Sequence, residues 1–248
     1  MRVAATLLLL FFCSVASDAA VTVAVAANVH YAVNELRTVF KKSSGIDIRT
    51  VVGSSGKLTA QIENGAPYDI FLSADMKYPQ RLKSEGFTLN EPKVYATGYL
   101  VVWTLKNIEL KDSLFSLKGG SVKRIAIPNP KSAPYGIEAL KALKAAGIYE
   151  EVESRLVYAE SVSQTNRYIF SGAVDAGITA KSVVLSPKMA GRGRYADVDP
   201  SLYDPIEQGA VVLKHAKGAG EREAMAFYDY LFSPEARAIL KKYGYGVK

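Results

Sequence analysis

The sequence predicts an α/β protein of two lobes, each built on a mainly parallel β-sheet flanked by helices. Three observations lead to this prediction. Short apolar runs that suit buried strands alternate with amphipathic helical patterns, as expected of βαβ units. The same alternation starts again in the second half of the chain. Finally, the 248 residues are enough for two cores of about 100 residues each.

The first 20 residues are predicted to be a secretory signal peptide. Arg2 supplies a positive charge, residues 4–15 form an apolar run without a charge, and small residues dominate positions 16–20. This order is typical of export signals, and the run is shorter than the ~20 residues that span a bilayer. We therefore expect a periplasmic protein, with a membrane anchor as the alternative.

The composition excludes several classes of site. The single cysteine, Cys13, lies inside the predicted signal peptide, so the exported chain is expected to hold neither a disulfide nor a thiolate metal site. The net charge of +7 comes from basic residues scattered singly and in pairs, which favours a solvated basic surface over a nucleic-acid site. We expect a monomer without a cofactor.

The elements follow one another along the chain with recognisable boundaries, since glycine often follows a helix. In chain order, the patterns predict a strand at 21–25, a helix ending at Gly45, a strand at 46–52, a helix ending near 64–65, strands at 70–72, 99–104 and 124–127, a helix from Pro134 to Gly147, a strand at 174–179 and a C-terminal helix at 224–243 with a break near 233–234.

The same order predicts how the chain divides between the lobes. The chain is expected to cross to the second lobe near residue 98 and to return near residue 206. The first lobe then comprises residues 21–98 and 206–248, and the second comprises residues 99–205. Two crossings imply a hinge, around which ligand binding would close the lobes.

Two turns between a strand and a helix are candidates for the binding site, residues 26–29 (AANV) and 53–56 (GSSG). The unpaired backbone N–H groups of a helix N-terminus favour anions. Asn28 and Ser55 could add a side-chain amide and a hydroxyl as donors. Asn28 and Ser54 or Ser55 also fit ordinary N-cap residues, so spacing alone leaves both interpretations open.

The chain resembles the bacterial periplasmic molybdate-binding proteins over nearly all of its predicted exported part. The most specific segment is AANVHYAVNELRTVFKKSSGIDIRTVVGSSGKLTAQIENGAPYDIFLSAD, residues 26–75. The likeness continues through the Pro-Tyr-Gly turn at 134–136, through AESV at 159–162 and through Gly-Ile at 177–178. It ends with FYDYLFSPEARAILKKYGY, residues 227–245.

This resemblance implies a type II-like periplasmic binding fold and a binding protein rather than an enzyme. The implied ligand is molybdate or tungstate, held by neutral hydrogen-bond donors and delivered to a permease of the ATP-binding cassette type. The family's ligand positions fall on Asn28 and Ser55, with backbone contributions from Tyr135 and Val162. Molybdenum would thus be bound as molybdate through these residues.

One position departs from the family pattern. Some relatives place a tyrosine hydroxyl on the anion where this sequence has Ala180. One donor is therefore expected to be missing. Tyr135, Thr179 or the hydroxyl of Ser54 could compensate for it.

The rival hypotheses are a binding protein for sulfate or ferric iron and a serine hydrolase. The 15 tyrosines suggest iron, because tyrosinate binds Fe³⁺, but no adjacent pair stands at a suitable place. The hydrolase would use Ser54 or Ser55, and Ser54 with Lys57 matches an S-x-x-K pattern without its companion motifs. Neither serine has an evident general base.

The remaining candidate residues have simpler interpretations. His30 and His215 are far apart in sequence, and no carboxylate spacing around them suggests zinc. His30 lies near the proposed site, where it could tune binding, although the sequence favours a surface role for it. Asp69 and Asp75 flank a strand and are expected to cap turns.

Overall fold

A computed structural model describes residues 20–247. The predicted signal peptide, residues 1–20, lies almost entirely outside this range. No helix among residues 20–247 is long and apolar enough to cross a membrane.

Ten strands and nine α-helices make up the described chain. In order they are β1 (Val21–Ala26), α1 (His30–Ser44), β2 (Ile48–Gly53), α2 (Ser55–Glu63), β3 (Ile70–Leu72), α3 (Lys77–Ser84), β4 (Lys93–Gly98), β5 (Leu100–Thr104), β6 (Ile125–Pro128), α4 (Pro134–Ala145), α5 (Tyr149–Val152), β7 (Leu156–Ala159), α6 (Val162–Phe170), β8 (Ala176–Ala180), α7 (Lys181–Val184), β9 (Arg194–Asp197), β10 (Ile206–Val212), α8 (Glu221–Tyr230) and α9 (Pro234–Lys242). Four short 3₁₀ turns lie at Ser113–Lys118, Glu153–Arg155, Pro200–Leu202 and Lys214–Ala216.

The strands form two five-stranded sheets, one for each lobe, and the predicted two-lobed α/β class is confirmed. The first sheet has the order β2-β1-β3-β10-β4, and the second has the order β7-β6-β8-β5-β9. The chain leaves the first sheet through β4, enters the second through β5 and returns through β10. These memberships are compatible with the expected division near residues 98 and 206, which stays a prediction in its exact bounds.

The sheets are mixed, whereas the sequence predicted mainly parallel ones. In the first sheet β1 pairs in parallel with β2 and β3, but β10 runs antiparallel to both β3 and β4. In the second sheet β6 pairs in parallel with β7 and β8, while β5 runs antiparallel to β8 and β9. The antiparallel pairs involve β4, β5, β9 and β10, the strands on either side of the two crossings. No helix lies between β4 and β5.

Both faces of the first sheet are covered by helices. Apolar side chains of α1, α8 and α9, among them Leu36 and Phe227, pack on one face. Leu58 of α2 and Leu82 of α3 pack on the other. Because both faces are buried, the central strands read as continuous apolar runs, which is why β1 and β3 could be recognised from the sequence.

The C-terminal helical pattern is two helices, with the break where the sequence predicted it. α8 ends at Tyr230, and α9 begins at Pro234. The hydroxyl of Ser233 accepts a hydrogen bond from the N–H of Ala236 at 3.1 Å, and proline occupies the first helical position, where no N–H is needed. The first helix likewise ends at Ser44, just before Gly45, as predicted.

Candidate anion-binding site

The carboxyl ends of the parallel strands meet between the two lobes. Ala26, at the end of β1, lies opposite Gly53, at the end of β2, so the two candidate turns are neighbours. The N–H of Ala27 donates to the carbonyl of Gly53 at 2.9 Å and joins them. In the second sheet, β6 and β7 end at Pro128 and Ala159 in the same register. Such edges are where open α/β sheets bind ligands.

All four residues predicted to bind the ligand line one small cavity at this place. The cavity is small: the centre of a water-sized sphere can occupy about 10 Å³ of it, which is about enough for one water molecule. Its walls come from both lobes and consist of Ala26, Ala27, Asn28, Ser54, Ser55, Ala74, Ala133, Pro134, Tyr135 and Val162. No Asp, Glu, Lys, Arg or His is among these residues.

The cavity is lined by residues with free backbone N–H groups. Ser55 and Val162 are the first residues of α2 and α6, and Tyr135 carries the first N–H of α4 because Pro134 has none. Asn28 lies in the turn before α1. None of these four N–H groups donates to an acceptor within residues 20–247. Since the first N–H groups of a helix have no partner inside it, they can serve an anion.

Two serine hydroxyls add donors at the same point. Oγ of Ser55 accepts a hydrogen bond from the N–H of Ala74 at 2.9 Å, so its own proton remains to be donated. Oγ of Ser54 is buried and has no hydrogen-bond partner within the described chain. Ser54 occupies the N-cap position of α2, but its side chain makes no capping hydrogen bond. Both hydroxyls are therefore available to a ligand.

The expectation that the side-chain amide of Asn28 faces the ligand is wrong. Nδ2 donates to Oε1 of Gln208 at 2.7 Å and to the hydroxyl of Tyr245 at 3.0 Å, which uses both of its protons. The N-cap interpretation is also wrong for this residue, because Val29 is the N-cap of α1. Asn28 can contribute its backbone N–H, while its side chain points away into the protein.

The structure narrows the candidates for the donor expected to be missing at Ala180. Ala180 is fully buried at the end of β8 and does not line the cavity. Oγ1 of Thr179 donates to Oδ1 of Asn166 at 2.6 Å and is occupied. The hydroxyl of Tyr135 lies against Gly98, where a Cβ would overlap it. The hydroxyls of Tyr135 and Ser54 are both buried without a hydrogen-bond partner within the described chain, so these two candidates remain.

Contacts between the lobes surround the cavity. The N–H of Gly56, in the first turn of α2, donates to the carbonyl of Ser132 at 2.9 Å. Nearby, Nζ of Lys57 and Oε1 of Glu160 form an ion pair at 2.5 Å. In addition, Ala26, Ala27 and Ala74 of the first lobe pack into the apolar core of the second. The site is thus covered from both sides.

A larger cleft of about 570 Å³ lies beside the small cavity, and sequence reasoning missed it. It carries the cationic side chains of Lys57, Arg167 and Lys188 together with His30, and one acid, Glu160. Within residues 20–247, Arg167 and Lys188 form no ion pair. Burial and then the positive charges of Arg37 and Lys188 lower the pKa of His30. The larger cleft is therefore basic at its opening, the cleft mouth, whereas the small cavity beside it has no ionised group.

The other candidate chemistries find no support in the described residues. No cluster of three His, Cys, Asp or Glu that could hold a metal ion occurs among residues 20–247. Asp75 accepts from the N–H of Tyr78 at 3.2 Å, as expected of a turn-capping group. The same expectation is wrong for Asp69, which accepts from the N–H of Thr22 in β1 and pairs with His215, both at 2.7 Å. Lys57 is engaged by Glu160, so it is not a base for either serine.

The fold and this site together define a two-lobed solute-binding protein. The chain belongs to the family of bacterial extracellular solute-binding proteins, which its residues 21–246 match. It is 37% identical to the molybdate-binding protein ModA of Azotobacter vinelandii over 94% of this chain and 92% of that protein. It is also 37% identical to ModA of Rhodobacter capsulatus, over 91% and 87% of the two chains.

A solved structure agrees with this assignment. The periplasmic molybdate-binding protein of Azotobacter vinelandii superimposes with a TM-score of 0.85 at 34% identity. The match covers 92% of this chain and 99% of that one. The predicted recognition, fold class and non-enzymatic role are confirmed by these relatives, which are named as molybdate-binding proteins.

Proposed function

We propose that the chain captures molybdate, or the similarly sized tungstate, between its lobes and delivers it to a permease of the ATP-binding cassette type. The observation that carries this proposal is the cavity where four free N–H groups and two serine hydroxyls meet without any acid. A fully deprotonated tetrahedral dianion needs donors only, and this set supplies only donors. The names of the relatives support molybdate as the ligand.

The ligand residues in this proposal are Asn28, Ser55, Tyr135 and Val162 through their backbone N–H groups, with the hydroxyl of Ser55. Ser54 supplies a further hydroxyl, in place of the donor expected at Ala180. A hydrogen bond to a charged group contributes about 1.5–3 kcal/mol, so several such bonds are sufficient for micromolar binding or tighter. The protein is proposed to act as a monomer in the periplasm after removal of the first 20 residues.

Two rival ligands are less compatible with the site. Ferric iron would need tyrosinate ligands, but burial raises the pKa of Tyr95 and Tyr135 well above the ordinary value, so these hydroxyls keep their protons. Protonated phosphate would need an acceptor, which the cavity lining lacks. Sulfate has the same donors available to it, and only its smaller size distinguishes it.

The experiment is calorimetric titration of the ligand-free protein with molybdate, with sulfate and phosphate titrated in parallel. We expect strong binding of molybdate and weak binding of the other two. Ser55→Ala should weaken molybdate binding by about 1–3 kcal/mol, the effect of removing one donor to a charged group. Ser186→Ala is the control, because it removes a buried hydroxyl that does not line the cavity. Unchanged affinity in Ser55→Ala would exclude that hydroxyl as a ligand.

A further inference from the structure

Behind the Asn28 turn, three side chains form a closed ring of buried hydrogen bonds. Nδ2 of Asn28 donates to the hydroxyl of Tyr245 at 3.0 Å, and that hydroxyl donates to Oγ of Ser182 at 3.1 Å. Oγ of Ser182 in turn donates to the backbone carbonyl of Asn28 at 2.8 Å. The ring is enclosed in the protein, since each of the three residues is at most 4% exposed.

The direction of every bond in the ring is determined by its neighbours. Nε2 of Gln208 donates to the carbonyls of Ala74 at 3.2 Å and Ile206 at 2.9 Å, so its oxygen must face Asn28. That oxygen accepts the second proton of Asn28 Nδ2 at 2.7 Å. The hydroxyl of Tyr245 accepts the other proton of Asn28 Nδ2 and therefore donates its own proton to Oγ of Ser182. The Ser182 proton then has the carbonyl of Asn28 as its acceptor.

The ring joins elements that belong to the two different lobes. Asn28 follows β1 of the first sheet, whereas Ser182 lies on α7, directly after β8 of the second sheet. Tyr245 belongs to the C-terminal tail. The tail is attached to β4 by two hydrogen bonds between Thr97 and Gly246, of 2.7 and 2.9 Å, beside the crossing to the second lobe.

The ring also holds Asn28, the residue whose backbone N–H is assigned to the ligand. In the turn, the N–H of Ala27 donates to Gly53 and that of Val29 donates to Ala26. The N–H of Asn28, between them, has no acceptor in the described chain and lines the cavity. Ser182 holds the carbonyl of the same residue, so the turn is held by the first lobe through Gly53 and by the second lobe through Ser182.

We propose that Tyr245 and Ser182 are positioning residues, which hold the Asn28 turn in its anion-binding geometry and make binding depend on docking of α7 against it. This inference rests on the proposed function and adds a coupling between the anion and lobe closure. Neither residue lines the cavity, so each acts through Asn28. Opening of the lobes breaks the ring at Ser182 and releases the turn.

The test compares Tyr245→Phe, Ser182→Ala and the double variant with the wild-type protein in molybdate titrations. Each single variant should bind molybdate about tenfold more weakly, the effect of about one lost hydrogen bond. The double variant should bind no more weakly than the singles, because all three break the same ring. Ser182→Thr keeps the hydroxyl and should restore most of the affinity.

Tyr243→Phe is the matched control. Tyr243 lies close to Tyr245 in the chain and is similarly buried as a residue, but its hydroxyl donates to Oε2 of Glu35 at 2.9 Å in a partly buried bond away from the cavity. This variant should bind molybdate like the wild type. Small-angle X-ray scattering supplies a second readout, because molybdate should contract the wild type and Tyr243→Phe more than Tyr245→Phe. Tyr245→Phe removes only the hydroxyl and keeps the aromatic side chain. If Ser182→Ala does not fold, the affinity of Tyr245→Phe alone tests the positioning role.

Failure of the proposed function and failure of the positioning role give different results in these titrations. Absence of binding by the wild type to any of the three anions overturns the proposed function. Binding by the wild type that persists unchanged in Tyr245→Phe and Ser182→Ala overturns the positioning role alone, even if both variants unfold at a lower temperature. Additive losses in the double variant also contradict the ring, since they would show that the two hydroxyls act independently.

Discussion

The N–H of Gly56 donates to the carbonyl of Ser132 at 2.9 Å and ties the first turn of α2 to the loop before α4 across the site. The approach leaves no room for a side chain. A Cβ on Gly56 would lie 3.0 Å from the carbonyl oxygen of Ser132 and 2.7 Å from the hydroxyl of Tyr78. A side chain at this position would therefore require the hydroxyl of Tyr78 and the loop at Ser132 to move.

Gly56→Ala is accordingly expected to weaken molybdate binding by about 1–3 kcal/mol, the usual effect of overpacking, because the lobes must move apart. Calorimetry measures the change in affinity. Gly120→Ala is the control, since no atom lies within 4 Å of a Cβ at that position. Equal affinity of Gly56→Ala and the wild type would mean that the loop at Ser132 adjusts without effect on the site.

Molybdate affinity should be independent of pH between about pH 6 and pH 9. Tyr135 is the one ionisable side chain among the cavity-lining residues, and burial raises its pKa well above the ordinary value. Burial and the nearby cations lower the pKa of His30, which favours its neutral form. Calorimetry at several pH values checks this. A steep change of affinity with pH would instead point to an ionisable group that contacts the anion.

The basic cleft mouth is expected to speed association of the anion. Replacing both Arg167 and Lys188 by glutamine should slow association more than it alters dissociation, because the charges attract the dianion from a distance. The difference from the wild type should shrink as salt is added. Stopped-flow kinetics at low and high ionic strength measures both rates. Lys42→Gln with Lys217→Gln is the control, with the same loss of charge outside the cleft.

The ion pair of Lys57 with Glu160 should contribute little. Both side chains are more than half exposed, and exposed pairs contribute about 0–1 kcal/mol. Glu160→Gln is thus expected to change molybdate affinity by less than tenfold at physiological salt. A larger loss, measured by calorimetry beside the wild type, would show that the pair controls closure of the lobes.

Asp175 is expected to support folding of the second lobe rather than ligand binding. It accepts hydrogen bonds from the N–H groups of Lys123 at 2.6 Å and Arg124 at 2.8 Å, and it pairs with Lys106. Although burial raises the pKa of its carboxyl, these donors outweigh burial and lower it below the ordinary value. Asp175→Asn should lower the free energy of unfolding by about 1.5–3 kcal/mol at neutral pH.

The contribution of Asp175 to the free energy of unfolding should decrease as the pH is lowered. Because the folded-state pKa is lowered, the stabilisation is complete above the unfolded-state value near 4 and is lost as the pH falls through the folded-state value. Thermal unfolding of Asp175→Asn and wild type should therefore converge at low pH. Asp112→Asn, at an exposed position, should match the wild type throughout. A gap that widens on acidification would contradict this assignment.

Local patterns predicted six of the ten strands and the turns at residues 26–29 and 53–56, whereas the donor positions at Tyr135 and Val162 followed from the resemblance to the family. Buried parallel strands such as β1 and β3 read as continuous apolar runs, and the turns after them carry the residues that line the cavity. β4, β7, β9 and β10 were not recognised, because the first three are edge strands and the place of β10 depends on pairing with β3 and β4. The antiparallel direction of β4, β9 and β10 also could not be read locally.

The direction in which Asn28 points shows why part of the site lay beyond sequence reasoning. An Asn in a turn before a helix suits an N-cap or a ligand donor, and both are local interpretations. Its actual partners, Gln208 and Tyr245, lie 180 and 217 residues away along the chain. The basic cleft likewise combines His30 with Arg167 and Lys188, which only the packing of the two lobes brings together.

The sequence by itself determined the two-lobed α/β class and the turns at residues 26–29 and 53–56, whereas the donors at Tyr135 and Val162 and the neutral donor set followed only from the resemblance to the family. Periodicity, helix N-termini and residue type are local properties, and each is encoded within a few neighbouring residues. The tertiary structure decided which donors remain free, since a free N–H or hydroxyl is one that no distant acceptor has taken. Ser54 and the backbone of Asn28 stay available at the cavity, while the amide of Asn28 is held within the protein by Gln208 and Tyr245.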